Sequence, residues 1–155
     1  MPGKIETRLE ELGIILPAAT APVANYVPFT QTGTLVFVSG QLPMIDGAVQ
    51  ATGLVGTDVS LEDAAEAART CALNIVAQVK NACGGDLDRV RRVVKLTGFV
   101  AAGPDFTGHP KVINGASDTM VEIFGDAGRH ARAAVGSSSL PLGAAVEVEA
   151  VFEIA

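Results

Sequence analysis

The segment AVEVEAVFEI, residues 145–154, admits one local structure. Its apolar residues recur at every second position, so an extended chain places Val146, Val148, Ala150, Phe152 and Ile154 on one face. Glu147, Glu149, Val151 and Glu153 then share the other. The preceding stretch, HARAAVGSSSLPLGA (130–144), sets Arg132 inside a second apolar run. Burying an ionised group is costly unless something pairs with it. Arg132 therefore either pairs with one of these glutamates or is held ready for a ligand, and the residues themselves leave both readings open.

Two further segments, LVFVSG (35–40) and RVVKLTGFV (92–100), are apolar on both sides and read as central strands. In the second, Val94, Leu96 and Val100 fall on one side and Val93 and Phe99 on the other. Ser60 followed by Glu62 and Asp63 has the form of a helix start. Leu61, Ala65, Ala68, Ala72, Ile75 and Val79 then recur on one face until Gly84-Gly85. A second helix over KVINGASDTMVEIFG (111–125) has Pro110 at its opening turn and Val112, Met120 and Ile123 inward, although Asn114-Gly115 is a poor pair for its interior.

The N-terminus, KIETRLEELGIILP (4–17), predicts a short helix with Ile5, Leu9 and Leu12 on one face. AATAPVANYVPFTQTG (18–33) should be extended or edge-like, with a strand around Tyr26. DGAVQATGLVG (46–56) holds turn signals and one short strand. The whole order argues for an α+β sandwich, one domain over 1–155 with residues 1–16 as a helical extension, in which two helices pack on one face of a mixed or antiparallel sheet. Two helices cannot cover strands that are apolar on both sides, so the other sheet face is expected to pack on another subunit.

A formal net charge of -6 gives no general grip on nucleic acid, and none is expected as a partner. RVRR (89–92) is the one basic cluster, and alternation splits its charges between faces. No apolar run approaches the roughly 20 residues of a spanning helix, so a soluble, cytoplasmic protein without a membrane partner is expected. Cys71 and Cys83 fall in one predicted helix, about 18 Å apart along its axis, and are read as reduced thiols. With only His109 and His130, and no ligand spacing, a metal is not expected.

The ordered set ANYVPFTQTGTLVFVSGQLPM (24–44), VVKLTGFV (93–100), PKVINGAS (110–117), HARAAVG (130–136) and LPLGAAVEVEAVFE (140–153) resembles the RidA (YjgF/YER057c/UK114) family, also catalogued as endoribonuclease L-PSP, in a RidA-like subgroup with a longer N-terminus. The resemblance implies a chorismate-mutase-like (bacillus type) α+β fold and a homotrimer with clefts between subunits. It also implies hydrolysis of reactive 2-imino acids and their enamine tautomers, such as 2-aminoacrylate, to 2-oxo acids and ammonia without a cofactor. The alternative is a non-catalytic module that binds small carboxylates in the same cleft.

Arg132 matches the family's substrate-binding arginine. A planar guanidinium holds a carboxylate through two parallel charge-assisted bonds, where a lysine would act as a point charge. Glu147 matches the cleft glutamate, which would orient water and relay a proton. Tyr26 matches the cleft tyrosine, Asn114 a helix asparagine near the pocket, and Ser39, Gly40 and Ala134 are expected along the cleft wall. Where better-known members commonly show Ser-Cys after the arginine, this chain has Ala133-Ala134, which removes a hydroxyl and a thiol from the pocket wall. His130, two residues before Arg132, should share its strand face as a general acid or as a surface or interface residue.

Overall fold

The computed structural model describes residues 2–19 and 24–155. In chain order the elements are α1 (Lys4–Glu11), β1 (Phe29–Thr32), β2 (Leu35–Gln41), a short hairpin of β3 (Met44–Ile45) and β4 (Ala48–Val49), α2 (Leu61–Ala82), β5 (Val90–Ala101), α3 (His109–Phe124), β6 (Ala131–Ser137) and β7 (Val146–Ile154). The main sheet has the order β1-β2-β7-β5-β6. Its pairs are antiparallel except β5 with β6, which run parallel with α3 as the crossover between them. This is the mixed α+β sheet read from the sequence.

The alternating segment lies at the centre of the sheet, and its apolar row is buried throughout: Val146, Val148, Ala150, Phe152 and Ile154. Val36 and Val38 of β2 and Leu96 and Val100 of β5 extend that row sideways beneath α2 and α3. The helix start is as expected, with Ser60 Oγ accepting from the Asp63 amide at 3.1 Å. Alanines 64, 67, 68 and 72 let α2 lie close to the sheet, and Phe124 of α3 meets Phe152 edge-on at 5.9 Å.

The pair Asn114-Gly115 sits well inside α3. A Cβ at Gly115 would run into the backbone carbonyl of Ala65, so the glycine that weakens the helix is what lets α2 and α3 touch. Packing has overridden propensity there.

Three expectations need correction. Val93 is fully buried with Leu96 and Val100, because a bulge between Val93 and Lys95 shifts the alternation by one residue, so Val94 is not on their side. Tyr26 lies in an irregular bend, and the strand of this region begins at Phe29, after Pro28. The arm's residues 20–23 lie outside the described residues. Finally, Arg132 lies on β6 at the sheet's edge and not in a core strand. Among the described residues no helix is long and apolar enough to cross a membrane.

The sheet's second face carries no helix. Phe37 of β2 and Val135 of β6 are both more than two-fifths exposed there, with Phe99 and Val151 half-covered between them.

Candidate functional site

Arg132 reaches its position through register. It pairs with buried Leu96 across β5 and β6, and the side chains of paired residues leave a sheet on the same side, so Arg132 points toward α3. There Nη1 donates to Asn114 Oδ1 at 2.8 Å and to Ser117 Oγ at 3.2 Å. Both acceptors are neutral, and among the described residues no carboxylate lies within ion-pair distance of this guanidinium. A guanidinium has five N–H donors in a rigid fork. Two are engaged, which leaves Nε–H and both Nη2–H groups for an incoming anion.

Ser117 continues the contact outward. Its hydroxyl lies 2.8 Å from His130 Nε2, and His130 Nδ1 lies 2.6 Å from the carbonyl oxygen of Gly128. His130 thus stands on Arg132's side of the sheet, just before β6 begins. Ala134, two residues along the same strand, faces α3 as Arg132 does, and packs partly buried against the core.

A second group of the expected residues gathers elsewhere. Glu147 of β7 is in register with Phe99, on the face opposite Leu96 and Val100. Gly40 lies against it: a Cβ there would meet Glu147 Oε2 at 2.8 Å, so no other residue leaves that carboxyl its place. Ser39 commits its hydroxyl hydrogen within the chain. Its Oγ donates to the Val27 carbonyl at 2.7 Å and its amide to the Pro28 carbonyl at 2.9 Å, which fixes the arm bearing the half-exposed Tyr26 to β2. Burial raises the Glu147 carboxyl above the usual glutamate range, and the negative charge of Glu149, two residues on, adds to the shift.

The seven candidates therefore fall into two groups. Arg132, Asn114 and Ala134 lie between α3 and the edge strand, while Glu147, Gly40, Ser39 and Tyr26 lie around β2 and the open face. Arg132 and Glu147 are separated by three residues of strand rise and two strand spacings, so their Cα atoms are about 14 Å apart on opposite faces. One chain does not bring them together. Ser117 was not read from the sequence, although its spacing of three from Asn114 puts it on the same helix face. Nothing local signals Gly128.

A mixed sheet covered by two helices on one side, with a parallel β5-α3-β6 edge, defines a chain of the chorismate-mutase-like α+β class. The family model described as "YjgF/chorismate_mutase-like, putative endoribonuclease" matches residues 6–154, so the chain belongs to this YjgF/RidA family. It is 50% identical to Protein TCP17 of Trypanosoma cruzi over 153 residues, 98% of this chain and 95% of that protein. It is 34% identical to RutC family protein y4sK of Sinorhizobium fredii (strain NBRC 101917 / NGR234) over 138 residues, 89% of this chain and 91% of that one. Among solved structures, the protein Atu1372 of Agrobacterium tumefaciens, described as of unknown function, matches with a TM-score of 0.91 at 56% identity, covering 97% of this chain and 92% of that one.

Proposed function

We propose that this chain hydrolyses small imines or enamines that carry a carboxylate, releasing a 2-oxo acid and ammonia, at a site shared between copies of the chain. The observation that carries this reading is the state of Arg132: its guanidinium is held through Nη1 by two neutral oxygens and has no carboxylate partner among the described residues. A cation fixed in that way on one edge presents Nε–H and Nη2–H as a fork, the geometry that grips a planar carboxylate. The alternative of an arginine neutralised by the chain's own glutamates finds no support in these contacts.

In this mechanism the carboxylate on Arg132 fixes the imine carbon in one orientation, which removes orientational freedom from the reaction. A water oxygen adds to that carbon and its proton passes, by way of Glu147, to the imine nitrogen. As the C–N bond of the resulting carbinolamine breaks, its hydroxyl proton passes to the amine nitrogen, again by way of Glu147, so that the carbonyl forms and ammonia leaves. Glu147 suits such a relay because burial keeps its carboxyl protonated to higher pH than an exposed glutamate. No cofactor enters any step.

Since Arg132 and Glu147 occupy opposite faces, a cleft containing both takes the arginine from one copy and the glutamate from another. A homotrimer of the kind expected from the family provides such clefts, and the exposed Phe37 and Val135 on the helix-free face favour association. Ammonia release from enzymatically generated 2-aminoacrylate tests the proposal. Arg132→Ala should abolish release while leaving the oligomer intact, and full activity in that variant overturns the assignment. Saturable binding of 2-oxo acids without turnover of any imino acid would instead identify a binding module.

A further inference from the structure

We propose that Ser117 and His130 are positioning residues that set the Arg132 guanidinium for carboxylate binding, an inference that rests on the carboxylate-anchor reading above. The contacts form one directed chain. His130 Nδ1 lies 2.6 Å from the Gly128 carbonyl oxygen, and two acceptors would repel at that distance, so Nδ1 carries the ring proton. In the neutral ring Nε2 is then an acceptor, and the group 2.8 Å away that can donate to it is the Ser117 hydroxyl. With its hydrogen committed to His130, Ser117 Oγ turns a lone pair toward Arg132 Nη1 at 3.2 Å. Asn114 Oδ1 takes the other Nη1 hydrogen at 2.8 Å.

Every link therefore has an assigned donor, and the chain is anchored at its far end. Gly128 is buried against α3: a Cβ there would lie 2.7 Å from the carbonyl carbon of Met120 and 3.0 Å from Val121 Cα. Its carbonyl has little room to drift, and neither does the imidazole it orients. The consequence is felt at Arg132. A long side chain that would otherwise lose rotamer freedom on binding is already fixed in plane, with its unused fork turned outward. Ser117 touches Arg132 and His130 touches Ser117, so both act on the carboxylate through the arginine.

The test is calorimetric binding of 2-oxobutanoate, with its methyl ester as the control lacking a carboxylate. Wild type should bind the acid and Arg132→Ala should not. Ser117→Ala and His130→Ala should each weaken the acid about tenfold, the scale of one lost charge-assisted hydrogen bond, without changing the ester. The double variant should lose no more than either single one, because both break the same chain. Ser117→Thr, which keeps the hydroxyl, should restore binding. Nitrogen NMR of the wild-type protein should find neutral His130 in the Nδ1–H tautomer, a readout that needs no variant to fold. Unchanged acid affinity in both alanine variants, additive losses in the double variant, or an Nε2–H tautomer overturns the relay and leaves the anchor standing. Absence of 2-oxobutanoate binding by the wild type overturns both.

Discussion

Arg132 and Glu147 leave opposite faces of one sheet, the first in register with buried Leu96 and the second with Phe99, three residues further along β5. Alternation makes this arrangement rigid, because no rotamer carries a side chain through a hydrogen-bonded sheet. Any reaction that uses both groups at one substrate is therefore a reaction between copies of the chain.

Subunit mixing tests that consequence directly. Arg132→Ala and Glu147→Gln should each be inactive alone, yet an equimolar mixture, unfolded and reassembled together, should recover activity. In a closed ring whose clefts take one residue from each neighbour, about a quarter of randomly mixed sites contain both native residues, so about a quarter of wild-type turnover is expected. A mixture as inactive as its components would place both residues' roles within a single chain.

Glu147 makes stability depend on pH in a definite direction. Its folded carboxyl binds a proton more tightly than in the unfolded chain, through burial first and Glu149 second. The stabilisation this gives is fully present below the ordinary glutamate range, about pH 4, and is lost as pH rises through the raised value. Glu147→Gln cannot ionise, so denaturation midpoints measured from acid to neutral pH should rise in the variant relative to wild type. Parallel profiles would mean that the carboxyl is not buried in the assembled protein.

Gly115 should tolerate no side chain. A methyl group there meets the Ala65 carbonyl at the α2–α3 crossing, and backbone cannot yield as the end of a flexible side chain can. Gly115→Ala is favourable by helix propensity alone, yet overpacking should outweigh it and lower stability by about 2 kcal/mol in chemical denaturation. Stabilisation would show that the two helices can separate without cost.

These positions show where the sequence was informative. Period-two alternation placed β7 and its buried row without ambiguity, and Ser60 with its following acids marked the start of α2. The assignment of Val94 failed because a bulge inserts one residue, and a bulge has no signature in composition. The glycine in Asn114-Gly115 read as weakness since its reason, Ala65, lies 50 residues away in the chain and adjacent only in space. Arg132 was legible as a charge that needed a purpose. Its partners were half legible: Asn114 through the family resemblance, Ser117 only through the helix, and Gly128 not at all.

The start of α1 is fixed by the same kind of distant contact. Gly3 occupies the cap position and brings no side chain, so the first turn lacks a local acceptor. Asp88, in the turn before β5, takes that role across the chain, its two oxygens accepting from the amides of Lys4 and Ile5 at 2.9 Å each. Those two bonds hold its carboxyl below the usual aspartate range, with the Lys4 charge a smaller contribution. The contribution to stability is thus present above the unfolded aspartate value and is lost as pH falls through the lowered one. Asp88→Ala should leave the sheet untouched while hydrogen exchange across Lys4–Glu11 quickens several-fold at neutral pH, and acidification should bring the wild-type rates toward those of the variant. Equal exchange at neutral pH would show that α1 is held by its other contacts, among them buried Leu9, the Arg8 bond to the Glu122 carbonyl and the Glu6–Lys80 pair.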